Sequence, residues 1–330
     1  MKTTYNIFFL ILILLNPILG NCNQSCYKPS ERLTVNVPQS GNIKSFESKA
    51  YLYNPYTNSS KPLPSNVPIV FIIPPLSGEK PIFTDKWVAR KLCKQGIIVV
   101  LTYGDIEYVA KYYGSKNPSV KKKISIQMAS DITFLQRGAE RTIGALKKFS
   151  EVLEKRFIEN SNTAPNFNYG CYGASLGSLL CTVVAGKIQL SWKGIAAVAP
   201  GTNIPEIMAT SSLKLLKRIR NEWMKLNNKN IEEFTNHFDK ILTIDPEGSA
   251  EVIRDKKIPI LQFLTKKDTG IPYKYQELYS MFFKVPEENR IQLNKEHNMG
   301  ILQVSAFRKN HITEFFKKQL FPSNESSITN

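Results

Sequence analysis

A chain of 330 residues with 42% hydrophobic and 22% charged residues can bury a sizeable core, which excludes general disorder. The formal net charge of +17 favours anionic surfaces or substrates without deciding a fold. Five cysteines without a CxxC pair and three histidines argue against a zinc site, so neither metal nor cofactor is expected.

The elements begin with a leader. Lys2 precedes an unbroken apolar run, Ile7 to Leu15, closed by Pro17 and Gly20. That layout reads as a secretory signal over residues 1–20, and the run is short for a membrane span. Export to a periplasm, cell envelope or medium is therefore expected. Cys22 follows in ILGNC, which resembles a lipoprotein processing site apart from Asn21. Lipidation of Cys22 and a Cys22–Cys26 disulfide both stay open. Cys93, Cys171 and Cys181 lie in apolar segments and read as buried free thiols.

Residues 21–66 are polar, with RLTVNVP and KSFESKAYLY as two antiparallel strands. VPIVFII (67–73) is a strand buried on both faces, WVARKLCKQG (87–96) a helix, and IIVVLTY (97–103) a second buried strand. Lys121–Lys123 read as a solvated loop, and residues 131–155 as one long amphipathic helix capped by Asp131. NFNYGCYG then leads into Ser175, LGSLLCTVVAG follows as a short helix, and GIAAVAP and IPILQFL are two more buried strands. Strands alternating with helices predict a mostly parallel sheet covered on both faces, within a domain over 67–322 and ahead of a polar tail, 323–330.

The interval 203–257 is helical and basic, and reads as a cap inserted over the strand ends. In it, Ser212–Leu226 place Leu216, Ile219, Trp223 and Leu226 on one face. That stripe either faces a substrate pocket or meets an anionic membrane surface. Nucleic acid is a poor partner, because the leader sends the chain out of the cytosol and no binding motif is present.

The chemistry centres on GASLG, with Gly173 and Gly177 two residues either side of Ser175. A serine hydroxyl needs a base and an exposed position, which a sharp strand-to-helix turn supplies if its neighbours are small. Downstream, TKKDTGIP places Asp268 just past a strand end, where a carboxylate can orient an imidazole. Asp239, Asp245 and Asp255 are weaker candidates, in the cap or before the strand. His297, in EHNMG between a short strand and the last helix, is better placed as base than His237 or His311.

Ser175, Asp268 and His297, in that order and with GASLG on the turn, resemble the α/β-hydrolase superfamily over about residues 67–320. The resemblance implies an eight-stranded, mostly parallel sheet and hydrolysis through an acyl-serine. It also implies an oxyanion hole from the Leu176 amide and an amide in FIIPPLSGEK. Leu76 is the candidate there, with Ser77 the alternative, since Pro74 and Pro75 have no N–H. The leading expectation is an esterase or lipase-like enzyme for small-molecule or lipid esters. A peptidase or acyltransferase on the same scaffold and a catalytically silent envelope binding protein are the alternatives.

Overall fold

The computed structural model describes residues 26–41, 43–57, 63–75, 82–103, 107–159, 161 and 164–321. The leader, Cys22, Leu76, Ser77 and the tail 323–330 lie outside the described residues.

Eight strands form one sheet: β1 (Glu31–Val37), β2 (Phe46–Tyr53), β3 (Asn66–Ile73), β4 (Ile98–Thr102), β5 (Asn166–Ala174), β6 (Trp192–Val198), β7 (Ile260–Thr265) and β8 (Arg290–Leu293). Their spatial order is β1-β2-β4-β3-β5-β6-β7-β8. The β1–β2 hairpin pairs antiparallel and adds to β4 antiparallel, and every other pairing is parallel. The apolar strands are buried on both sides because side chains alternate across the pleat. Ile69, Phe71 and Ile73 of β3 enter one core, and Val70 and Ile72 the opposite one.

Twelve helices surround the sheet among the described residues: α1 (Phe83–Cys93), α2 (Glu107–Gly114), α3 (Pro118–Ser130), α4 (Phe134–Glu159), α5 (Leu176–Lys187), α6 (Ile204–Thr210), α7 (Lys214–Asn227), α8 (Ile231–Ile241), α9 (Ala250–Asp255), α10 (Tyr273–Phe282), α11 (His297–Phe307) and α12 (Lys309–Leu320).

Three expectations change here. Residues 121–123 lie within α3 and not in a loop. Pro118 at its first turn, with the Asn117 side chain accepting from the Ser119 N–H at 2.9 Å, starts that helix. Asp131 consequently closes α3 instead of opening α4, and its carboxylate pairs with Arg137. The third concerns sulfur. Cys26 bonds to Cys93 and Cys171 to Cys181, so none of these four is a free thiol and a Cys22–Cys26 bridge does not form. The reason is proximity created by folding: β5 and α5 turn back on each other, and the segment before β1 crosses the end of α1.

The interval 203–257 folds as α6, α7, α8, a short 3-10 turn (Pro246–Ser249) and α9. Most of the apolar stripe of α7 faces inward: Leu216 and Ile219 are buried, and Trp223 packs edge-on against Phe234 of α8 at 5.3 Å, while Leu226 is exposed. Helix α3 packs against α7, so two insertions, one after β4 and one after β6, meet above the sheet. The buried part of that stripe is not free to meet a membrane.

Candidate active site

The turn after β5 shows why its sequence is spaced as it is. Ser175 has φ 54° and ψ −127°, a strained backbone for a residue other than glycine. Its N–H donates to the Val198 carbonyl of β6 at 2.8 Å, which anchors the turn to the neighbouring strand. A Cβ at Gly173 would lie 2.2 Å from the Gly177 carbonyl oxygen, and one at Gly177 would lie 2.1 Å from that of Ile73. Both positions must therefore lack a side chain, and the end of β3 passes directly over the turn. The Cys171–Cys181 disulfide closes the base of this loop, strand to helix.

The three residues selected from the sequence meet at the carboxyl edge of the sheet. His297 Nε2 lies 2.9 Å from Ser175 Oγ, and His297 Nδ1 lies 2.7 Å from Asp268 Oδ2. All three are buried. A carboxylate accepts only, so Nδ1 carries the imidazole proton and Nε2 is left to accept from the serine hydroxyl. His297 is the first residue of α11, not a loop residue ahead of it. Gly300 lets that helix approach, since a Cβ there would meet the Thr265 methyl at 2.1 Å.

Asp268 is held on every side. Oδ1 accepts the Gly270 and Ile271 N–H groups at 2.7 and 2.8 Å. Oδ2 accepts from Thr265 Oγ1 at 2.7 Å, besides His297. Gln276, fully buried on α10, bonds the Thr265 N–H and the Ile271 carbonyl at 2.9 and 2.7 Å and reaches Asp268 Oδ2 at 3.3 Å. Sequence reasoning missed Thr265 and Gln276. Their signal was there: Gln276 and Ser280 recur one helical turn apart beneath Gln262, an amide inside an apolar strand, and Gln262 bonds both.

The other candidates lie elsewhere. His237 and His311 are exposed, and His237 stacks on Trp223. Asp245 accepts from the Ile204 and Glu247 N–H groups, a capping role, while Asp239 and Asp255 are exposed. The Leu176 N–H belongs to the first turn of α5, where a helix has no acceptor of its own to offer. Burial perturbs two more groups. Tyr172, three residues before Ser175, is 3.3 Å from Ser305 of α11, and burial raises its pKa. Burial also raises the Asp85 carboxyl of α1 to about 7, against the Ile82 N–H and Lys86, which favour its charged form.

No protein-family profile matches the sequence, and no curated protein is similar to it by sequence. Solved structures do share its architecture. A Pyrococcus horikoshii acylaminoacyl peptidase superposes with a TM-score of 0.58 at 13% identity over 89% of this chain, which spans 42% of that protein. The Pyrococcus furiosus esterase Pf2001 gives 0.55 at 14% identity, covering 93% of this chain and 97% of its own. Est1E from Butyrivibrio proteoclasticus gives 0.53 at 15%, covering 87% and 98%. This chain has the α/β-hydrolase fold. In an α/β-hydrolase sheet the carboxyl ends of the strands carry the site, and Ser175, Asp268 and His297 occupy that edge, after β5, after β7 and after β8.

Proposed function

We propose that this protein is an exported serine hydrolase that cleaves carboxylic esters through an acyl-serine intermediate. The observation that carries this reading is the unbroken Asp268–His297–Ser175 hydrogen-bond chain ending on a strained turn. His297 Nε2 takes the Ser175 proton as Oγ attacks the ester carbonyl carbon. The Leu176 amide stabilises the oxyanion, with Leu76 as the sequence candidate for a second donor. His297 then protonates the leaving alkoxide, and water repeats the cycle to release the acid. Asp268 keeps the imidazole oriented and stabilises its charged form.

Export is supported by the leader and by two disulfides, which persist in oxidising compartments. A peptidase is the second reading, favoured by the acylaminoacyl peptidase among the similar structures, though this chain spans less than half of it.

A fluorophosphonate probe is expected to label the purified protein, and Ser175→Ala to abolish labelling. Turnover of short p-nitrophenyl esters should fall by about 10⁴-fold or more in that variant. Labelling that survives Ser175→Ala rules out Ser175 as nucleophile. Hydrolysis of acyl-peptides in preference to esters would move the assignment to the peptidase.

A further inference from the structure

Helix α1 carries an exposed stripe that the proposed chemistry does not use. Phe83, Trp87, Lys91 and Lys94 follow one another at four, four and three residues, so they share one side of the helix. Phe83 is 56% exposed and meets the half-buried Trp87 edge-on at 4.9 Å. At the other end of the stripe, the Lys94 ammonium sits 4.4 Å over the ring of Tyr27, itself half exposed.

The junction of α11 and α12 joins this surface. Lys309 has a lowered pKa, first through its burial and then through the charges of Lys91 and Lys94. No described carboxylate pairs with any of these three lysines. Phe307, two residues earlier, is the most exposed large apolar side chain described, at 72%. Residues 83–94 and 297–320 together carry eight Lys and Arg against two carboxylates, and one of those, Asp85, is buried.

The Cys26–Cys93 disulfide fixes where the chain enters this surface. It ties Cys26 to the last turn of α1, so the described chain begins beside Lys94.

We propose that this face, α1 with the α11–α12 junction, docks on an anionic lipid bilayer. Exposed aromatic rings enter the headgroup layer, and lysines crowded without counter-charges gain most when anionic headgroups approach. Phe83 opens α1 after the carboxyl end of β3, so the apolar end of this face lies toward the edge of the sheet that carries Ser175. The proposal stands independently of the ester chemistry.

Trp192 and Trp223 are 6% and 4% exposed, which leaves Trp87 as the tryptophan that can report contact. The exported chain, without residues 1–20, is mixed with phosphatidylcholine vesicles, with and without phosphatidylglycerol, built with brominated acyl chains. Trp87 emission is expected to be quenched on the anionic vesicles alone, with the signal lost in Trp87→Phe. Phe83→Ser with Phe307→Ser, and Lys91→Ala with Lys94→Ala and Lys309→Ala, should each weaken vesicle affinity about tenfold or more. Sedimentation with anionic vesicles while Trp87 stays unquenched overturns the proposal, because another part of the surface would then hold the chain. Equal binding to uncharged vesicles overturns it, as does a dimer that dissociates in the Phe83/Phe307 variant. Trp87 quenching in the unmutated chain decides the matter if a variant fails to fold.

Discussion

The two halves of the candidate site are held by different physics. Ser175 is fixed by backbone sterics: a left-handed turn, two positions where no Cβ fits, and a disulfide at the base of the loop. Asp268 and His297 are fixed by polar side chains, with Thr265, Gln276 and two backbone amides converging on one carboxylate. The steric half tolerates no change of shape. The polar half should tolerate changes of shape better than changes of hydrogen bonding.

The widest separation should come from Gly177→Ala. Its Cβ would press on backbone oxygens of Ile73 and Pro74, which cannot rotate away, so a loss of about 3 kcal/mol or more in chemical denaturation is expected. Asp85→Asn, in the first turn of α1, should act through pH. The folded carboxyl titrates near 7, above its ordinary 3.8, so the folded state holds a proton that the unfolded state releases. Stability from this group is therefore greatest below about pH 4 and falls up to about pH 7, by at most about 4 kcal/mol, then stays level. The asparagine variant should flatten that slope in melting curves taken between pH 5 and 8.

Cys171→Ala with Cys181→Ala should cost about 2–3 kcal/mol, the loop-closure value for a short ring, read as a lower melting temperature. Smaller again is Gln276→Ala, which we expect to lower kcat about 10- to 100-fold with little change in KM. Its diagnostic is the split between kcat and KM: a residue that only fills space would lower the melting temperature and leave kcat in place.

The same contrast explains what was legible in the sequence. Steric requirements are local, so Gly173, Ser175 and Gly177 announce a strand-to-helix turn by spacing alone. Buried parallel strands are equally local, as apolar runs rich in β-branched residues, and β3, β4, β6 and β7 appear close to where their patterns lie. The order of Asp268 and His297 after Ser175 was readable only against that frame. Long-range pairing was not. Cys26 and Cys93 are 67 residues apart, and apolar neighbours make a bridged cysteine look like a core thiol. Helix α3 was hidden because three consecutive lysines resemble a solvated loop, although Asn117-Pro118 was a start signal. The final helix looked continuous since Arg308, where the chain breaks between α11 and α12, is compatible with either conformation. Thr265 and Gln276 escaped because a polar residue in a buried element states a need for partners without naming them.

The start of α7 is moored to the acid loop. Ser211 Oγ donates to the Gly270 carbonyl at 2.7 Å, the Ser212 N–H to that of Thr269 at 2.8 Å, and Leu213 packs against Gly270 beside the His297 ring. A lid that swung at this end would drag the carboxylate's own loop with it and unseat the base. The near end of α7 and the acid loop are therefore one mechanical unit, and a substitution that displaces one displaces the other.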